Sequence, residues 1–308
     1  MNAIEAMQAE IEYQVQDLPK LGLPKASENC LFVGAGDSYV ASLAAQYVSG
    51  GHALCCYPTD VILNPSVASD RNMYVVSISG NTRANIMAAQ AAKKHGARTT
   101  TAITARPESR LARSCDEVIQ LKYRSVGVTT AGTISFASSI LACLSLAKQV
   151  RLPASLGRIY RQASDQAEKA AGKIGSRGSS YIILGNGTLY LASLYGVLKF
   201  NEVFGAKAFA YPVEEFCHSP LFSVSRGDRI IVMGAEGDDN GSLSERLCQE
   251  GFSSVYVDFG KKEKVELLLQ PTFFVQLLVV KLAQKRRLTS CYFLKNRSLL
   301  RVSSDFIY

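Results

Sequence analysis

Six consecutive residues, Ser77-Ile78-Ser79-Gly80-Asn81-Thr82, stand between the apolar run MYVV and the helical pattern RANIMAAQAAKKH. Small hydroxyl side chains with Gly at a helix N-terminus offer backbone N–H donors, the positive end of a helix dipole and hydroxyls that can converge on an anion. A plain N-cap by Asn81 or Thr82 would use the same residue types, and at the level of sequence both readings stand. No Lys follows Gly80, so this is not a Walker loop. An earlier turn, Gly34-Ala35-Gly36-Asp37-Ser38, could face the same ligand or serve only close packing of strand on helix.

Proton transfer needs a held carboxylate or imidazole, and the second half of the chain offers both. Tyr195, Lys199 and Glu202 are spaced i, i+4 and i+7 on one expected helix, so they share a side of it. A carboxylate there can act as a general base that moves a proton, although a Lys–Glu pair on a helix also describes a solvated face. His218 lies among Glu214, Glu215 and Pro220, just before an expected apolar strand, where it is either structural or an acid near neutral pH.

The 308 residues are 47% apolar and 19% charged, which suits two globular domains and excludes collagenous and coiled-coil classes. The longest uncharged stretch, residues 125–147, is rich in Ser and Thr and contains Gly127 and Gly132, so it is read as buried and no membrane partner is expected. The N-terminus has neither a basic nor an apolar targeting region, and a cytoplasmic location is expected. Eight cysteines without a C-x-x-C pair are expected to be reduced, and three histidines with no two at ligand spacing give no basis for a metal site; no cofactor is expected. Lys and Arg number 34 against 26 Asp and Glu, a net charge of +8 that suits an anionic small substrate or nucleic acid. Dense basic residues occur only at Lys285-Arg286-Arg287, and the leader before residue 27 is too short for a helix-turn-helix module, so no nucleic-acid partner is expected.

The elements that must position these residues follow one repeated pattern of apolar run, Gly-rich or polar turn and amphipathic helix, the signature of parallel βαβ construction. A leader helix is predicted over residues 2–16, with Ile4, Met7, Ile11 and Val15 on one face, and Pro19, Gly22 and Pro24 break it. Strands are predicted at 30–33, 73–77, 100–104 and 117–121, and helices at 38–49, 83–95, 133–150 and 157–174. Laying Cys30 on Tyr181, an offset of 151, matches Gly34 with Gly185, Gly36 with Gly187 and Tyr39 with Tyr190, which indicates two α/β domains of similar topology. The expected organisation is a leader at 1–26, a first domain at 27–150, a linker with one helix at 151–178 and a second domain at 179–308.

The Ser-x-Ser-Gly-x-Thr loop, the preceding Gly-x-Gly-x-Ser turn and the run LASLYGVLKFNEVFGAKAFAYPVEEFCHSPL resemble the sugar isomerase (SIS) superfamily. The second run is similar to the isomerase half of glucosamine-6-phosphate synthase and to stand-alone glucosamine-6-phosphate deaminase and isomerase relatives. The resemblance implies an α/β fold of two tandem flavodoxin-like SIS domains, each a mostly parallel sheet flanked by helices, and a phosphorylated sugar as substrate. It places phosphate contacts on Ser38, Ser77, Ser79, Thr82 and Thr130, and further substrate contacts at Gly36, Tyr195 and Arg301. It makes Glu202 the base for C1–C2 enolisation, sets Lys199 beside the sugar and makes His218 the ring-opening acid. In that family the histidine comes from the neighbouring subunit, so a homodimer is implied. Val232-Met233-Gly234-Ala235 stands where the second domain would need hydroxyls, so only the first domain is expected to bind phosphate.

Three departures bear on the activity. Tyr195 stands where the synthase has a second glutamate, Asn81 replaces an acid in the loop, and Arg301 replaces a Schiff-base lysine, a role that an always-protonated guanidinium cannot fill. The chain starts Met1-Asn2 without a Cys nucleophile, and glutamine-dependent amidation is not expected. The expected function is a hexose or hexosamine 6-phosphate isomerase or deaminase. A fructosamine-phosphate deglycase and a non-catalytic sugar-phosphate-binding regulator are the alternatives.

Overall fold

The computed structural model describes residues 1–175 and 177–308; Ser176, in the expected linker, lies outside the described residues. Strands β1 (Cys30–Val33), β2 (Leu54–Cys56), β3 (Asn72–Val76), β4 (Thr99–Thr104) and β5 (Glu117–Gln120) form a parallel sheet in the order β2-β1-β3-β4-β5. Parallel neighbours need crossover connections, and helices supply them while covering both sheet faces. Because successive side chains point to opposite faces, Leu31 and Val33 pack with Met73, Val75 and Ala102 under Ile86 and Ala89 of helix Arg83–Lys94. Phe32 packs with Tyr74, Val76 and Ile103 under Ala45 of helix Asp37–Val48 and Cys143 of helix Ile134–Ala147.

Strands β6 (Tyr181–Leu184), β7 (Ala208–Tyr211), β8 (Arg229–Gly234) and β9 (Ser253–Asp258) form a second parallel sheet in the order β7-β6-β8-β9. This is the first order without its last strand. The Gly turns agree as well. Gly36 (φ 58, ψ −130) and Gly187 (φ 57, ψ −124) each precede a helix in the same unusual conformation. A Cβ on Gly34 would lie 2.6 Å from the backbone carbon of Ser38, and one on Gly185 would lie 2.8 Å from that of Leu189, so neither turn admits a side chain.

Chain connectivity and compactness part company. One compact unit holds the four-stranded sheet and gathers Met1–Val15, Ser125–Thr133 and Leu152–Asn296. The other holds the five-stranded sheet and gathers Gln16–Arg124, Ile134–Arg151 and Arg297–Tyr308. The leader helix, Ala3–Asp17, thus begins in the four-stranded unit, with Ile4, Met7 and Ile11 buried. The uncharged stretch 125–147 is divided between a loop in that unit and the buried helix Ile134–Ala147 in the other.

Each of the four strands predicted in the first half of the chain forms within one residue of its expected bounds, while β2 carries no sequence signal because three half-buried residues cannot display a period of two. Helix Ile134–Ala147 stops short of the expected residue 150, where Lys148 and Gln149 end the apolar pattern. Among the described residues one helix, Glu266–Lys285, is long and apolar enough to cross a membrane; 83% of its most apolar window is buried within the protein. It packs against helices Leu156–Ile174 and Thr188–Phe204 of its own unit. In the basic cluster that follows, Arg286 is occupied, with its guanidinium 4.2 Å from the Phe204 ring centroid and hydrogen-bonded to the Tyr181 hydroxyl.

Candidate functional site

In the five-stranded unit the hydroxyl loop joins β3 to helix Arg83–Lys94. Its shape depends on Gly80, whose φ of +62 is left-handed and where a Cβ would lie 2.0 Å from Ser109 Oγ. The Gly80 N–H donates to Ser77 Oγ at 3.2 Å, and the Gly80 carbonyl accepts from the Leu111 N–H at 2.8 Å. On the β4 side the Ile78 carbonyl accepts from the Thr104 hydroxyl at 3.1 Å. The loop is therefore pinned from two sides.

The structure separates the two sequence readings of this loop. Thr82 occupies the N-cap position, yet its side chain makes no capping hydrogen bond; its Oγ1 lies 3.3 Å from Ser77 Oγ instead. Asn81 turns its carbonyl oxygen to the Arg110 N–H at 3.5 Å and serves the neighbouring short helix. Ser79 Oγ accepts from the Asn81 N–H at 3.3 Å. Three hydroxyls thus gather at the N-terminus of a twelve-residue helix without being spent as its cap, an arrangement able to bind an anion. Ser38, half-buried in the first turn of helix Asp37–Val48, follows the exposed Gly36 turn in the same unit.

The corresponding loop of the four-stranded unit is built oppositely. Asp238 folds its carboxylate back, accepting from the Ala235 N–H at 2.7 Å and the Asn240 N–H at 3.1 Å, so a fixed internal anion takes these backbone donors. Tyr256, which leaves no room for a Cβ on Gly234, has its hydroxyl pushed up to about 12 by burial and by the charges of Asp238 and Asp258. An acidic field of this kind repels phosphate.

Helix Thr188–Phe204 of the four-stranded unit carries the proton-transfer candidates. Lys199 is not on a solvated face: its side chain is 1% exposed and its Nζ donates to Glu202 Oε2 at 2.6 Å, while the Glu202 side chain is 38% exposed. A buried ammonium requires a partner, so Lys199 fixes the carboxylate and leaves it open to solvent on its other side. Tyr195 is wholly buried, with its ring 5.1 Å from Lys199 Nζ and its hydroxyl donating to the Gly132 carbonyl at 2.6 Å. It organises the interior, where the sequence reading had offered it as a substrate contact.

Thr130 belongs to the four-stranded unit, whereas Ser38, Ser77, Ser79 and Thr82 belong to the five-stranded unit, and its hydroxyl donates to Glu10 Oε2 at 3.3 Å. His218 ends the short helix Val213–His218, where Glu214 and Glu215 in the first turn favour helix formation, and a 3-10 turn at Pro220–Ser223 follows; the next strand begins only at Arg229. The expected strand directly after His218 is therefore absent. The His218 side chain is 73% exposed, with Nε2 3.8 Å from Glu214 Oε1. Arg301 sits exposed on helix Arg297–Ile307 in the five-stranded unit, a helix tethered where the Asp305 carbonyl accepts from Arg83 at 3.4 Å. Sequence reasoning missed Glu10, Gln14 and Gln276 as a buried polar group; two polar residues four apart on the apolar face of the leader helix were the available signal.

Residues 25–149 match the family model described as the SIS domain. The chain is 27% identical over 245 residues to glutamine–fructose-6-phosphate aminotransferase (isomerizing) of Bartonella quintana, covering 72% of this chain and 40% of that protein. It is also 27% identical over 221 residues to the enzyme of the same name from Sulfolobus acidocaldarius, covering 68% and 37%. The chain spans 37–44% of the length of the curated relatives it matches. Among solved structures, glucosamine-6-phosphate deaminase of Thermotoga maritima aligns with a TM-score of 0.70 at 23% identity, covering 93% of each chain. Tagatose-6-phosphate ketose/aldose isomerase of Escherichia coli aligns with a TM-score of 0.67 at 16% identity, covering 93% of this chain and 89% of that one. These neighbours share the fold, two parallel sheets flanked by helices.

Proposed function

We propose that this chain acts on a hexose or hexosamine 6-phosphate by moving a proton between C1 and C2, as an aldose–ketose isomerase or as a deaminase that releases ammonia. The observation that carries this reading is the half-exposed Glu202 carboxylate held at 2.6 Å by a buried lysine. Starting from the ketose, Glu202 takes a C1 proton as the enediol forms and returns it to C2 to give the aldose; the reverse direction takes the C2 proton and returns it to C1. Lys199 holds the carboxylate in one orientation throughout. Ser38, Ser77, Ser79 and Thr82 are the phosphate ligands in this reading, and the net charge of +8 attracts the dianion.

On this proposal the four-stranded unit is a second SIS domain that has given up its anion loop to Asp238. His218 opens the sugar ring in the site of a neighbouring copy within a cytoplasmic homodimer, a role supported by its exposure and by that of Phe222, which is 84% exposed four residues later. A monomer by sedimentation at working concentration would remove the shared site. The activity itself is tested by incubating the protein with a panel of hexose and hexosamine 6-phosphates in D2O and following ketose, ammonia and C1 and C2 protons by NMR. Binding without exchange on every member would leave a regulatory sugar-phosphate sensor.

A further inference from the structure

The leader helix presents a polar face to its own unit. Glu10 is 5% exposed and accepts four hydrogen bonds, two on each carboxylate oxygen. Oε1 receives the Ser125 hydroxyl at 3.0 Å and the Val126 N–H at 3.4 Å, and Oε2 receives the Thr130 hydroxyl at 3.3 Å and the Thr133 hydroxyl at 3.2 Å. All four donors belong to the loop Ser125–Thr133. One turn further along the same helix face, Gln14 donates to Gln276 Oε1 at 2.8 Å. Gln276 in turn donates to the Thr133 carbonyl and to the Tyr195 hydroxyl, each at 3.2 Å. The Tyr195 hydroxyl donates to the Gly132 carbonyl, so the end of the loop is gripped by the helix that carries Lys199 and Glu202.

We infer that Glu10 is a positioning residue that fixes the loop Ser125–Thr133 and sets the hydrogen-bond polarity of Thr130, turning it toward a donor on the sugar, a hydroxyl or amino group, rather than toward phosphate. The argument is one of proton counting. A hydroxyl owns one proton and two acceptor lone pairs, and a carboxylate owns only acceptors. With its proton committed to Glu10, Thr130 has only lone pairs to offer. A phosphate dianion needs donors and gains nothing from it, whereas a sugar O–H or N–H does. The assignment of a ligand to Thr130 rests on the proposed function; the holding of the loop does not.

The substitution Glu10→Gln keeps the shape but turns one acceptor oxygen into a donor amide, so two of the four loop donors lose their partner. In the ligand-free protein, amide hydrogen exchange across residues 125–133 is expected to quicken tenfold or more, with the strands of the five-stranded sheet unchanged. Fructose 6-phosphate should bind at least tenfold more weakly to this variant, with inorganic phosphate binding as in wild type. Thr130→Val, which leaves Glu10 in place, should show the same split between sugar phosphate and inorganic phosphate. Wild-type exchange in the loop of Glu10→Gln overturns the positioning role. Equal loss of sugar phosphate and inorganic phosphate in Thr130→Val makes Thr130 a phosphate donor and overturns the polarity. A wild-type protein that binds no sugar phosphate overturns the ligand assignment together with the proposed function, while the exchange measurement still decides whether Glu10 holds the loop.

Discussion

Gly80→Ala tests whether the hydroxyl loop is preformed by packing. Holding a left-handed conformation at an Ala costs about 1–2 kcal/mol. The new methyl carbon would lie 2.0 Å from Ser109 Oγ and 2.4 Å from Ser109 Cβ, distances no packed pair tolerates, so Ser109 must retreat. Overpacking of this kind costs about 1–3 kcal/mol. Ser109 is also the N-cap of helix Arg110–Ser114, with its Oγ accepting from the Ala112 N–H at 3.3 Å, and loss of a cap costs about 1 kcal/mol. The expected destabilisation is about 3–6 kcal/mol, or a fall in Tm of roughly 10 °C or more for a unit of this size. Differential scanning calorimetry reads the first effect and calorimetric titration with inorganic phosphate the second, since a displaced loop no longer gathers its hydroxyls. A Gly80→Ala protein that melts within about 2 °C of wild type and binds phosphate normally would refute the claim that the contact with Ser109 shapes the site.

Two other outcomes follow from the same structure. Ser79→Ala combined with Thr82→Ala should weaken fructose 6-phosphate binding by about 1–3 kcal/mol through lost hydrogen bonds to a charged group, with the fold intact; unchanged thermal stabilisation by the sugar phosphate would place the phosphate elsewhere. Asp228 is buried, which raises its pKa, but hydrogen bonds from Ser180 Oγ at 2.7 Å and from the Ser225 N–H and Oγ at 2.7 and 2.9 Å outweigh burial and leave it below the usual value. A depressed carboxylate stabilises the fold above its unfolded pKa of about 3.9 and loses that contribution as pH falls through the folded value. Asp228→Asn should therefore cost about 1–3 kcal/mol in urea unfolding at neutral pH and progressively less below about pH 4; a gap that stays constant on acidification would contradict this account.

Much of the fold was legible because its strands are short apolar runs ended by Gly turns, as in Leu31-Phe32-Val33-Gly34 and Ile182-Ile183-Leu184-Gly185. The equivalence of Gly34 with Gly185 was readable for a steric reason, since neither turn has room for a Cβ. What escaped the sequence is tertiary. Nothing local in Ser125–Thr133 shows that it leaves its neighbours in the chain for the other compact unit, and the position of Glu10 on the leader helix does not reveal which donors surround it. Lys199 and Glu202 have the spacing of a surface ion pair; only burial of the lysine distinguishes them. Likewise Thr82 has the residue type and position of a cap and is not used as one.

The central claim is that Glu202 carries the proton, and solvent exchange measures that directly. With fructose 6-phosphate or glucosamine 6-phosphate in D2O, the wild-type protein should wash deuterium into C1 or C2, read by the loss of the proton signal in NMR. Glu202→Gln should slow this by about 10²-fold or more, while the sugar phosphate still raises the melting temperature of the variant. Exchange at the wild-type rate in the folded Glu202→Gln protein would contradict the account, because the proton would then be moving without the carboxylate that Lys199 holds in place.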